Sequence, residues 1–219
     1  MSGFANIALP IEGKLLAASM CAVITALLVV QIANGSMMDW VMRSGVSWQA
    51  LSEGRLDTIV LHMVAHAGLI HLFLNATSLW ILVPLVISHL GKFPANIGRF
   101  FIVFFLSGLS GMGAFLLLHL DHQTPMVGAS GAIFGLLGLL WRISPADGRI
   151  LPLRSRRTWV LMKEAAINQL PLLLLFTLPA VLNHTGGGLA WEAHLGGLLF
   201  GLIAAPHIVR LVAPSRIEA

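Results

Sequence analysis

Charged residues are scarce in this sequence: Asp, Glu, Lys and Arg make up only 10% of its 219 residues. Soluble domains carry about 25% charged residues, so an ordinary soluble domain is excluded. The single cysteine, Cys21, excludes an intrachain disulfide, and the chain has no tyrosine at all. The formal net charge of +4 does not indicate nucleic-acid binding, because the basic residues lie between apolar segments, where they set membrane topology.

Apolar residues are abundant instead, and they are grouped in six long segments. Hydrophobic residues make up 57% of the chain, and most segments approach the roughly 20 residues that a membrane-spanning helix needs. The segments cover residues 15–33, 69–89, 100–120, 126–141, 165–182 and 190–209. We interpret the first as a retained anchor, and we expect the shorter fourth to begin inside the membrane after a buried loop. The sequence predicts one all-α membrane domain over residues 1–219, a bundle of six transmembrane helices.

The basic residues predict the orientation of this bundle. If the chain crosses six times, Arg43 and Arg55 lie on one side and all other Lys and Arg residues lie on the opposite side. Cytoplasmic loops carry an excess of Lys and Arg. We therefore expect both termini in the cytoplasm and the long first loop, residues 34–68, outside.

Polar residues within the apolar segments indicate a functional site, because such groups are costly in a membrane. His66, His71 and Asn75 lead into or lie in the second segment, Ser130 opens the fourth, and His194 lies near the start of the sixth. In the predicted topology these three segments all run from outside to inside. The five side chains are therefore expected at a similar depth, near the outer ends of parallel helices.

The residue types indicate serine-based acyl transfer. A serine hydroxyl is a weak nucleophile until a base takes its proton, and a neutral histidine is the commonest base. Glycines at 131, 135 and 138 would face those at 197 and 201, so close helix contact would bring Ser130 to His194. His71 and Asn75 share a helix face and, with the Ser130 N–H, could donate to an oxyanion.

Three motifs together resemble those of the rhomboid intramembrane proteases. They are His66-x4-His71-x3-Asn75, Gly128-Ala129-Ser130-Gly131 and Ala193-His194-Leu195-Gly196-Gly197-x3-Gly201. They occur in the order of that family, on the second, fourth and sixth predicted helices, and the resemblance to the bacterial six-helix form covers nearly the whole chain.

The resemblance implies a role for each matching residue. Ser130 is similar to the catalytic serine and His194 to its base, while His71 and Asn75 correspond to oxyanion-stabilising residues. A supporting role is implied for His66, Gly128 and Phe134. The fifth helix and residues 183–192 would form the gate and cap through which substrate and water pass. The implied enzyme is a multi-pass serine endopeptidase of the bacterial inner membrane.

The implied partners are membrane-protein substrates and the lipid bilayer, without nucleic acid. We expect no metal, nucleotide or other cofactor. The natural substrate and the oligomeric state are not predicted.

The sequence also departs from the family pattern. Many bacterial rhomboids carry a Trp-Arg pair in the first loop, where this chain has Asp57-Thr58, although Arg55 is nearby. A tyrosine that often packs on the catalytic histidine is replaced by Phe134, which keeps the ring and loses the hydroxyl. No carboxylate is a candidate third member of the dyad, since Glu192 precedes His194 by only two residues on a helix.

Alternative interpretations remain open at this point. His62 and His66 could bind a metal together with His71 or His194, as in a metal transporter. A rhombosortase, which processes C-terminal Gly-Gly sorting tails, is the closest rival enzyme, and a rhomboid-like protein that binds membrane proteins without cutting them is the rival from another class. A further prediction is that Asn168, Gln169 and Pro171 make the inner end of the fifth segment irregular.

Overall fold

The fold is all-helical, as the sequence predicts. A computed structural model describes residues 9–35, 37–119, 123–145, 147–182 and 188–207, and within these ranges it contains no β-strand, only isolated bridges. The helices are α1 (Ile11–Ala33), α2 (Met37–Ser44), α3 (Trp48–Ser52), α4 (Thr58–Leu61), α5 (Leu69–Ile87), α6 (Ala95–Leu118), α7 (Ser130–Arg142), α8 (Arg156–Leu182) and α9 (Trp191–Ile203).

The long helices carry apolar surfaces suited to lipid. Among the described residues, α1, α5 and α6 are long and apolar enough to cross a membrane, while α7 is apolar but shorter. Large apolar side chains such as Phe73 (67% exposed) and Leu117 (73% exposed) point away from the protein. Exposing such apolar surfaces to water costs free energy, whereas contact with lipid hydrocarbon does not.

The helix bounds correct several sequence predictions. The fourth segment does not become helical at residue 126, because Met126 forms an antiparallel bridge with Val46 and α7 begins only at Ser130. The predicted irregularity of the fifth segment is wrong, since α8 runs unbroken from Arg156 to Leu182. Pro171 lacks a backbone N–H and so removes one hydrogen bond from α8. Local adjustment of the neighbouring turns can maintain a membrane helix around such a proline.

Several sequence predictions fall partly beyond the described part of the chain; residue 36 of the first loop and residue 120 of the third segment lie outside the described residues. The sixth segment corresponds to α9, which ends at Ile203, and residues 208–209 of that prediction lie outside the described residues. The same holds for residues 183–187 of the predicted cap.

Helix α7 lies at the centre of the fold. It packs against α5, α6, α8 and α9, while α1 packs against α5. Leu79 on α5, Phe100 on α6 and Leu136 on α7 are completely buried in one continuous apolar core. This core fixes the position of the first turn of α7 relative to its neighbours.

Glycines allow α7 and α9 to touch backbone to backbone, as predicted. A Cβ at Gly197 would clash with the carbonyl oxygen of Gly131, and one at Gly201 would clash with that of Gly135. A Cβ at Gly138 would lie only 2.6 Å from the carbonyl oxygen of Leu198. This close approach brings together the starts of the two helices, where Ser130 and His194 lie.

Polar contacts tie parts of the first loop to the long helices and to one another. Gln31 of α1, 2% exposed, donates from Nε2 to the His66 carbonyl oxygen at 3.0 Å. Trp48 Nε1 donates to the Leu116 carbonyl oxygen of α6 at 2.7 Å. Arg55 Nη1 donates to the Met42 carbonyl oxygen at 3.0 Å, so this exposed arginine links α2 to a later part of the same loop.

Candidate active site

Ser130 is the first residue of α7, and its hydroxyl is half-buried beside the helix N-terminus. The N-cap residue, Ala129, provides no side-chain hydrogen bond to the first turn. The first N–H groups of a helix have no partner within the helix, and they favour negative charge. The start of α7 therefore places backbone N–H donors next to the Ser130 hydroxyl.

Phe134 places the ring of His194 close to Ser130. The two rings are stacked, with centroids 4.3 Å apart and planes inclined by 8°. Ser130 and Phe134 are four residues apart and share one face of α7. A Cβ at Gly131 would also lie 3.3 Å from the carbonyl oxygen of Ala193, the residue before His194. The structure therefore brings the predicted nucleophile and base to one place.

The ring of His194 is hydrogen-bonded to α8. Its Nδ1 lies 3.0 Å from Oε1 of Gln169, and because an amide oxygen only accepts, Nδ1 carries the proton. In the neutral ring Nε2 is then left with a free lone pair, as a general base requires. Within the described residues, no hydrogen bond joins His194 to Ser130 Oγ, and catalytic hydrogen bonds of this kind often tighten only when substrate binds.

The contact of Gln169 with His194 was not predicted from the sequence. The signal was a polar residue in an apolar segment, which usually indicates a partner inside the protein. From the sequence alone, Gln169 is instead predicted to belong to an irregular helix end. The contact with His194 depends on how α8 is rotated, and that rotation is visible only in the structure.

Gly128 holds His71 beside the serine. Its φ of +118° is rarely adopted by L side chains, and a Cβ there would lie 2.6 Å from His71 Nε2 and 3.8 Å from Ser130 Oγ. The Gly128 N–H donates to the His62 carbonyl oxygen at 2.6 Å. Glycine is therefore required both for the backbone conformation and for the space that the His71 ring occupies.

His71 presents a donor to the site. The Ala67 N–H donates to Nδ1 of His71 at 3.4 Å, so in a neutral ring the proton is on Nε2, the atom that faces Gly128. One turn later, the buried Asn75 donates from Nδ2 to the His71 carbonyl oxygen at 2.9 Å. This contact uses one N–H of the Asn75 amide, and the oxyanion role of Asn75 stays a prediction.

The remaining loop histidines have structural contacts. His66 is completely buried, and its ring meets that of His71 edge to face at 5.1 Å. His62 donates from Nδ1 to the Thr58 carbonyl oxygen at 2.9 Å. Burial lowers the pKa of His62 to about 4, although hydrogen bonds to backbone groups oppose the shift, so its ring is neutral near pH 7.

The metal-site alternative has no ligand set in the part of the chain that the structure describes. No three His, Cys, Asp or Glu side chains gather there in a way that could hold a metal ion. Glu192, which the sequence predicts to point away from the dyad, has its carboxylate 3.3 Å from Nδ1 of His119.

These residues and helices define a member of a known family. Residues 53–211 match the family model described as Rhomboid domain, and the chain belongs to the rhomboid family.

Three curated proteins show the range of relatives. The chain is 36% identical over 90 residues to "Putative rhomboid protease YdcA" of Bacillus subtilis (strain 168), an alignment covering 41% of this chain and 42% of the relative. It is 28% identical over 158 residues to Rhomboid protease GluP of the same organism, covering 71% of this chain and 26% of the relative. It is 31% identical over 97 residues to Inactive RHOMBOID-like protein 8 of Arabidopsis thaliana, covering 44% and 26%. The matched part is less than half the length of each relative.

Proposed function

We propose that this chain is an intramembrane serine endopeptidase that cleaves peptide bonds in or near transmembrane segments of other membrane proteins. Family membership supports this proposal. The observation that carries it is the stacking of His194 on Phe134, one helical turn from Ser130 on the same face of α7. The proposal includes six membrane crossings, cytoplasmic termini and a place in a bacterial inner membrane.

The proposed reaction proceeds in two stages. Ser130 Oγ attacks the scissile carbonyl carbon while Nε2 of His194 takes the hydroxyl proton. The tetrahedral intermediate collapses as the C–N bond breaks, and the imidazolium gives its proton to the leaving amine. Water then attacks the acyl-serine ester, with His194 again taking the proton, and Ser130 is regenerated with release of the new carboxyl terminus.

The oxyanion would be held by three neutral donors. The N–H of Ser130 lies at the start of α7, Nε2–H of His71 borders the Gly128 backbone, and Asn75 contributes an amide N–H. Fixed donors of this kind are worth far more in a site from which water is excluded. Their neutrality also suits a site within the membrane, where an isolated charge is costly.

The proposed activity is tested with purified protein in liposomes. It is incubated with a panel of labelled transmembrane substrates, and mass spectrometry identifies the product termini. Cleavage at defined positions in or near the membrane segment supports the proposal. Intact substrates, together with no labelling of the folded protein by a fluorophosphonate, contradict it.

Two alternatives have distinct outcomes in this assay. A relative is named Inactive RHOMBOID-like protein 8, and a non-catalytic protein would bind substrates and leave them intact; this chain, however, retains both Ser130 and His194. A rhombosortase would cut only substrates whose C-terminal tail contains a Gly-Gly pair.

A further inference from the structure

The contact between Gln169 and His194 joins α8 to the proposed dyad. Gln169 Oε1 accepts from Nδ1–H of His194 at 3.0 Å, and the glutamine side chain is half-buried on α8. Phe134 covers one face of the same imidazole ring. The ring is therefore held both by a stacking contact from α7 and by a hydrogen bond from α8.

We propose that Gln169 is a positioning residue for the base, because it keeps His194 in the tautomer whose Nε2 is free to accept the Ser130 proton. This inference rests on the proposed function. With no acceptor at Nδ1, the ring would exchange between tautomers, and the fraction with a proton on Nε2 could not act as a base. Gln169 would thus complete a Ser–His–Gln arrangement without touching substrate.

An amide suits this position better than a carboxylate. A buried ionised carboxylate in a membrane segment is expensive unless it is paired. A glutamine provides the same acceptor without a charge. The titratable group that interacts with the His194 ring is His71 on α5, while the carboxylate of Glu192, at the start of α9, is directed to His119 at the end of α6. Gln169, by contrast, is uncharged and makes a direct hydrogen bond to the His194 ring.

Three variants on α8 test the role through kinetics. In Gln169→Met the side chain keeps its length and loses the acceptor, so kcat should fall about fivefold to tenfold, the effect of one neutral hydrogen bond, with KM little changed. Gln169→Glu restores an acceptor, so it should recover activity above neutral pH. Its acid limb should move to higher pH, because a carboxylate stabilises the imidazolium form. Asn168→Leu, at an exposed neighbour, is the matched control and should behave like wild type.

The tautomer can be read without any catalysis. With ¹⁵N-histidine labelling, the ring signals of His194 are identified by their loss in His194→Ala. Wild type should carry the proton on Nδ1, and Gln169→Met should show a mixture or the opposite tautomer. A proton mainly on Nε2 in wild type overturns the inference, as does a folded Gln169→Met protein with unchanged ring signals, kcat and pH profile. If wild type cleaves no substrate, the proposed function fails. The ring signals of His194 still show whether Gln169 fixes its tautomer, so the two failures can be told apart.

Discussion

The imidazole of His194 lies flat against the phenyl ring of Phe134, with centroids 4.3 Å apart and an angle of 8° between the planes. Phe134 stands where the family resemblance implies a tyrosine, and its ring alone makes the stack. It holds the ring above the first turn of α7, where Ser130 begins the helix. The hydroxyl missing from Phe134 is therefore not needed to keep the ring in place.

This stack predicts different outcomes for two substitutions of Phe134. Phe134→Tyr keeps the ring and should retain activity close to wild type. Phe134→Ala removes a stacking contact worth about 0.5–1.5 kcal/mol, so kcat should fall by about threefold to tenfold. Cleavage rates of both variants in liposomes check this. Equal rates for Phe134→Ala and wild type would show that the stack does not orient the base.

The oxyanion donors predict graded losses of activity. Removing one fixed donor costs on the order of 10²–10³ in kcat, and less where other donors compensate. Asn75→Ala and His71→Ala should therefore each slow turnover measurably without abolishing it. The control on α5 is Ser78→Ala, since this exposed hydroxyl donates only within its own helix, to the Leu74 carbonyl oxygen. If both variants match the control, the oxyanion assignment is wrong.

The glycine contacts between α7 and α9 predict a loss of stability on adding one methyl group. Gly197→Ala and Gly201→Ala place a Cβ against a backbone carbonyl, and overpacking of this kind costs about 1–3 kcal/mol. Gly113→Ala on α6 is the matched control, because nothing lies within 4 Å of its added Cβ. It should be neutral or slightly stabilising. Thermal unfolding in detergent measures all three, and equal midpoints would contradict the close contact.

The proposed orientation is tested by cysteine labelling, since the chain has one natural cysteine, Cys21. In a Cys21→Ser background, Glu53→Cys lies in the exposed part of the first loop and Arg154→Cys in the exposed segment before α8. An impermeant maleimide should label Glu53→Cys in spheroplasts and Arg154→Cys only after lysis. The reverse pattern would invert the topology.

Much of this fold could be predicted from residue pattern because the membrane imposes simple rules. Apolar length indicated the helices, and the glycine spacing predicted that α7 and α9 touch, which the structure confirms. The roles of Ser130 and His194 followed from motifs and remain a prediction.

The contacts between distant segments could not be predicted in the same way. A helix that is apolar on all sides has no periodicity to indicate which face turns inward, so the approach of Gln169 to His194 was not visible in the sequence. The hydrogen bond from Gln31 to the His66 carbonyl oxygen likewise depends on how α1 lies against the first loop, which the sequence does not indicate.

The central claim is that Ser130 is the nucleophile and His194 its base, and the most direct measurement combines fluorophosphonate labelling with substrate cleavage. Wild type should be labelled on Ser130 and should cleave. Ser130→Ala should lose both the label and cleavage, and His194→Ala should lose cleavage, with all proteins folded. The double variant should be little worse than either single one, because the pair acts as a unit. Labelling or substantial cleavage that persists in a well-folded Ser130→Ala protein would contradict the account.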